Sequence, residues 1–222
     1  MHNILSFVTS SAVNRKHSAI VYRYTYMKHT TLLTLFVLLQ FATRAAETIT
    51  FDIYLFGDKV GKMTITKTDH PDGTEHYMLE SHLRAKVLWI VRDNLSKTEV
   101  VYKNGKFLYS TQKEVENGEV KRWNNAKWDG TKLQIDGYKG KKSFAEQPNY
   151  SVPVIYFKGL NNVNKLFFEA EADYCKVEKV DNDTWEFKSP DGTKNVYHFE
   201  NGKIHHMEFH VSIATVKMVR VQ

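Results

Sequence analysis

After residue 46, apolar and polar residues alternate with a period of two along most of the chain. Residues 48–56 set Phe51, Ile53 and Leu55 on one side, and residues 61–68 set Met63 and Ile65 against Thr64, Thr66 and Thr68. Residues 75–83 place Tyr77, Leu79 and Leu83 opposite His76, Glu80 and His82. Residues 106–115 place Phe107, Tyr109 and Val115 opposite Ser110 and Gln112. Successive side chains of a strand point to opposite faces, so the pattern predicts strands with one packed face. Turn signals separate them: Gly57 to Gly61, Asp72-Gly73, Asn104-Gly105, Asn117-Gly118, Asp129-Gly130, Asp136-Gly137, Asp191-Gly192 and Asn201-Gly202. Asn-Gly and Asp-Gly suit tight hairpins because a type I′ turn needs two residues at positive φ. The expectation is an antiparallel meander.

The end of the chain repeats the pattern, with strands expected over 184–188, 194–200, 203–213 and 215–221. Along 203–213, His205, Met207, Phe209, Val211 and Ile213 share one face, and His206, Glu208, His210 and Ser212 the other. The middle differs. Residues 147–165 carry prolines, asparagines and the apolar run from Val152 to Phe157, which reads as a short helix or an irregular plug before a strand over 165–169. A long strand array must bury its apolar face against something, and an open curved sheet needs a filler. The 148–168 segment is the candidate. Trp89 sits in the apolar run 87–91, which suits a buried strand or an apolar lip. The fold expected is all-β and mostly antiparallel: a single curved sheet or incomplete barrel of hairpins, its concave side filled by an irregular or short helical segment. With no linker-like tract, residues 46–222 read as one β-rich domain.

The front of the chain changes what the composition means. No Asp or Glu precedes Glu47. Met27-Lys28-His29 leads into an apolar run from Leu32 to Ala42, followed by Thr43-Arg44-Ala45-Ala46. A membrane span needs roughly 20 mostly apolar residues, and this run is too short. A basic start, a short apolar stretch and small residues describe a secretory signal peptide over 27–45, cut after Ala45. Residues 1–26 lie upstream of that pattern, so Met27 is the expected native start. The product would be exported, periplasmic or secreted, and not membrane-spanning after cleavage. No cysteine stands near the cut to take a lipid.

The chain has 31 Lys and Arg against 25 Asp and Glu. Five of the basic residues (Arg15, Lys16, Arg23, Lys28 and Arg44) fall before the cut. The remainder is close to neutral, which gives no electrostatic footprint for nucleic acid. The group Lys139, Lys141 and Lys142 reads as a solvated loop. Cys175 is the single cysteine, so no disulfide can form within the chain, and its neighbours Tyr174 and Val177 suggest a buried, inert thiol.

The opening pair of strands, from Phe51 through the turn Gly57-Asp58-Lys59-Val60-Gly61 to Ile65, resembles the first hairpin of exported bacterial families known as domains of unknown function. Those proteins also carry a Pro-Val-x-Tyr-Phe-like segment, here Pro153 to Phe157, before a return to strands. The resemblance implies a periplasmic, curved all-β fold of half-barrel type. It brings no catalytic residues with it.

Histidine is the chemistry-bearing residue in greatest supply. His198, His206 and His210 are the candidate metal ligands. In a strand, positions four apart lie about 13 Å from one another, so His206 and His210 cannot share an ion without a neighbouring strand supplying a ligand such as His198 or His82. The polar, solvated face is the competing reading. No Gly-x-Ser-x-Gly elbow or His-Glu-x-x-His helix occurs. The carboxylate pairs Asp181/Asp183 and Glu169/Glu171 read as surface. No cofactor is called for. Aromatic residues are abundant, and Trp89, Trp123, Trp128, Tyr156 and Phe157 are the candidate ligand-binding set, with Trp123 and Trp128 flanking a polar stretch as a possible sugar- or partner-facing pair. Three functions remain open. The first is non-enzymatic binding of an apolar or amphipathic, lipid-like ligand in the concave side. The second is a structural or interaction protein of the cell envelope that meets a protein or glycan partner. The third is a metal-dependent enzyme at His198, His206 and His210.

Overall fold

The computed structural model describes residues 46–87, 90–211 and 214–221. The predicted signal peptide, Trp89 and Ile213 lie outside the described residues. The first half of the chain is a run of hairpins: β1 (Glu47–Leu55), β2 (Asp58–Asp69), β3 (Thr74–Val87), β4 (Ile90–Lys103), β5 (Lys106–Glu116), β6 (Glu119–Trp128), β7 (Leu133–Gly137) and β8 (Gly140–Phe144). Helix α1 (Val152–Lys158) follows. The second half holds β9 (Lys165–Phe168), β10 (Asp173–Lys179), β11 (Thr184–Lys188), β12 (Lys194–Glu200), β13 (Lys203–Val211) and β14 (Ala214–Arg220).

All fourteen strands belong to one sheet, ordered β8-β7-β6-β5-β4-β3-β2-β1-β14-β13-β12-β11-β10-β9. Every strand pairing in it is antiparallel. The first and last strands meet in the middle, Phe51 opposite Arg220, and the mid-chain strands β8 and β9 form the edges. The turns at Asn104-Gly105, Asn117-Gly118 and Asn201-Gly202 have both residues at positive φ, as type I′ geometry requires. The first hairpin turns one residue earlier than expected, at Phe56-Gly57, and Asp58 to Gly61 already belong to β2. Asp136-Gly137 is strand, not turn. Gly137 is needed there because a Cβ would meet Asn124 Oδ1 at 2.0 Å.

Two bulges correct the predicted faces. In β5, Tyr102 pairs with Phe107 and Val101 with Tyr109, so Leu108 is the extra residue. Beyond it Ser110 and Gln112 turn inward and Tyr109 outward, the reverse of simple alternation. In β13, His198 pairs with His206 and Phe199 with Ile204, which leaves His205 as the extra residue. Ile204 and Met207 are buried while His205 stands exposed.

The concave side is filled, as the sequence implied. Pro153 sits in the first turn of the helix, where its missing N–H costs nothing. Ile155 and Tyr156 join a cluster with Phe51, Ile65, Phe187, Tyr197 and Met207. Val154 joins a second cluster with Tyr77, Tyr102, Phe107, Leu133 and Phe167. The Tyr156 ring stands edge-on to Phe51 at 5.7 Å and to Tyr197 at 6.4 Å.

Side chains, not a strand ladder, draw the two ends of the sheet together. Phe144 of β8 meets Tyr174 of β10 edge-on at 5.3 Å, and Lys142 pairs with Asp173 at 3.1 Å. Asn124 of β6 donates to the Glu169 and Ala170 carbonyls in the β9–β10 turn, at 3.1 and 2.9 Å. Glu171, expected at the surface, is buried there between Arg122 at 2.6 Å, Tyr138 Oη at 3.1 Å and the Lys139 ammonium. Lys139 and Lys142 are therefore clasp residues of the seam and not a free solvated loop. Asn124→Ala strands two acceptors and is expected to cost about 2 kcal/mol, read as a lowered urea midpoint with unchanged slope.

Candidate functional site

The interior offers chemistry but no access. Glu169, 2% exposed, accepts from the Val152 backbone N–H at 3.3 Å through Oε2. Its Oε1, the Ser151 hydroxyl and the Tyr102 hydroxyl are buried without partners. Burial raises the Glu169 carboxyl to about 8, against a smaller opposing pull from backbone N–H groups. This carboxylate, expected at the surface, is instead buried. Only the tight return between β9 and β10, which sequence does not reveal, brings it inside. Cys175 is buried in the first cluster, and burial pushes its thiol up to about 12. Neither group faces solvent in the way a nucleophile or general acid must.

The outer face is more open. Lys62, Glu80, His82, Leu95, Lys97 and Lys113 line a groove of about 670 Å³ across β2 to β5. Directly paired residues lie on the same face. Leu95 opposes Val115, and Val115 opposes Val120, so an apolar row crosses β4, β5 and β6. Leu95 is 48% exposed and Val120 51%. The next row is Lys97, Lys113 and Trp123. Lys97 pairs with Glu80 at 2.9 Å, and His82 holds Asp93 at 2.8 Å.

The predicted aromatic set divides. Trp123 is 38% exposed and faces out beside this row. Trp128 faces in and packs on the second cluster. Five positions apart in one strand, the two indoles point to opposite faces and form no pair. Tyr156 and Phe157 pack against the sheet's own aromatics, Phe157 tilted on Tyr77 at 5.8 Å.

The histidines also divide. His198 and His206 are directly opposite on β12 and β13, their rings stacked at 4.1 Å. Glu208, two residues on and on the same face, brings a carboxylate oxygen to the group, and the three ligand atoms all lie within 4.8 Å of one another. Thr184 Oγ1 lies 3.3 Å from His198 Nδ1. Burial, then the neighbouring His198, Lys217 and His205, lowers His206 to about 4. His210 lies outside the three-residue group, its Nδ1 on Thr215 Oγ1 at 3.0 Å and its Nε2 3.8 Å from Glu208. His82 belongs to the groove. Glu208 was missed as a candidate, although its two-residue offset from His206 was the available signal. Asp181 and Asp183 form a turn, with the Asp183 N–H on Asp181 Oδ1 at 2.9 Å.

No helix among the described residues is long and apolar enough to cross a membrane. No curated protein sequence matches the chain. A crystal structure of a beta-barrel-like protein of domain of unknown function DUF1849 from Brucella abortus is similar, at 15% identity and a TM-score of 0.50, covering 82% of this chain and 98% of that one. That likeness carries the curved β fold alone. Residues 51–221 match the family described as domain of unknown function DUF6134, and the chain belongs to that family.

Proposed function

We propose that the protein is a non-catalytic interaction protein of the cell envelope, and that it meets a protein partner through the outer face of β4 to β6. One observation carries this reading. The concave side is occupied by the chain's own α1, while a row of apolar side chains, Leu95, Val115 and Val120, faces solvent beside Trp123. Lone exposed apolar residues are ordinary, but a contiguous row rimmed by polar groups favours a docking surface. Lys62, Lys97 and Lys113 stand around it against Glu80, which pairs with Lys97, and Asp93, which His82 holds, a small basic excess that favours a partner with an acidic rim. The signal-like segment 27–45 would place the encounter outside the cytoplasm. The alternative, a lipid-like ligand in the concave side, has to compete with Ile155 and Tyr156 for the same space.

A photo-cross-linker at position 95, used in cells, tests this. One dominant protein adduct is expected, lost when Val120 and Trp123 are changed to aspartate. A scatter of weak adducts, together with a lipid retained by the purified protein in native mass spectrometry, would return the reading to the concave side.

A further inference from the structure

On the other half of the sheet, away from the apolar row, we infer that His198, His206 and Glu208 form a binding site for a single borderline divalent cation, with Zn²⁺ the best chemical match. The inference does not depend on the partner reading. Two imidazoles and a carboxylate are a familiar donor set for zinc, and three protein ligands leave a fourth position for water. The register does the placing. His198 and His206 are a directly opposed cross-strand pair, and Glu208 follows on the same face of β13.

Bonds of about 2.0–2.1 Å put tetrahedral donor atoms about 3.4 Å apart. The three ligand atoms lie within 4.8 Å of one another, so rotation of partly buried side chains can close the gap without moving backbone. Thr184 supplies the outer support. With His198 Nδ1 directed at its hydroxyl, Nε2 is left to coordinate. Glu208 now lies among cationic or potentially cationic groups, with Lys217 at 3.9 Å, His210 at 3.8 Å and His206 at 4.0 Å. A bound cation would take over that role. His210 is not a ligand in this arrangement, because Thr215 holds it further along the strand.

Titration of the untagged full-length protein with Zn²⁺ by calorimetry, and with Co²⁺ by visible absorption, tests the site. One ion per chain is expected, with Co²⁺ bands of a four-coordinate N/O environment. His198→Ala and His206→Ala should each weaken binding at least tenfold, and Thr184→Val about tenfold through lost ring orientation. Both rings lie on the outer face, and urea melts of the variants verify their folding. His210→Ala and His82→Ala should bind as the parent does. Absence of saturable binding overturns the inference, as does binding that survives His198→Ala and His206→Ala together, or that His210→Ala abolishes.

Discussion

Tyr156→Ala is expected to remove about 3–5 kcal/mol of folding stability, measured by equilibrium urea unfolding. The side chain is 6% exposed and touches both halves of the sheet, Phe51 on β1 and Tyr197 on β12. Truncation empties a space that the surrounding strands cannot collapse to fill, because their ladders fix their spacing. The loss therefore combines the transfer free energy of the ring with a cavity penalty. If the concave side were working ligand space, trimming its lining would enlarge the pocket at a cost below about 1 kcal/mol. A large loss identifies α1 as core; a small one would restore the case for a ligand.

Glu169→Gln is expected to stabilise the protein in alkaline solution and to have little effect in acid. The buried carboxyl titrates near 8 when folded, against 4.5 as the ordinary value. A raised carboxyl favours the folded state while it is protonated. Its contribution is complete below the unfolded value and is lost as pH climbs from there through 8. A displacement of that size corresponds to a swing of about 3–6 kcal/mol. Glutamine stays neutral and keeps an oxygen for the Val152 N–H, so the variant should lose this part of the pH dependence. His206, whose neutral form burial favours, works in the opposite direction as pH falls through 6.5 toward 4. Both proteins contain it, so the difference between their melting curves at pH 5 and pH 9 isolates Glu169. Parallel curves would mean that the carboxylate is charged and solvated in the folded chain.

The strand pattern was largely legible in the sequence because alternation reports burial directly. Phe51, Ile53, Met63, Ile65, Tyr77 and Leu79 all face the core as their spacing requires. The filler was legible too, since a proline-initiated apolar run between two meanders has nowhere else to go. Tyr109 and His205 were misread because a bulge shifts the face by one residue and leaves no strong mark in composition. Glu169 and Glu171 were misread for a different reason. Glu171 is buried by the seam between distant strands, where Arg122 comes 49 residues earlier in the chain, and Glu169 by the β9–β10 return, which sets its carboxylate against the Val152 N–H 17 residues earlier. The metal candidates fell between these cases. Strand spacing separated His206 from His210 at once and left Glu208 on the face of His206, but only the pairing of β12 with β13 chose His198 over His82 as the cross-strand partner.

The adjacency of β1 and β14 has a consequence for how the molecule comes into being. Each meander can zip up locally as it is made, but the bond uniting them waits for β14. Losing that strand would not trim a border. It would cut the structure through its centre, leaving two raw ribbon margins at β1 and β13 where none is normally presented.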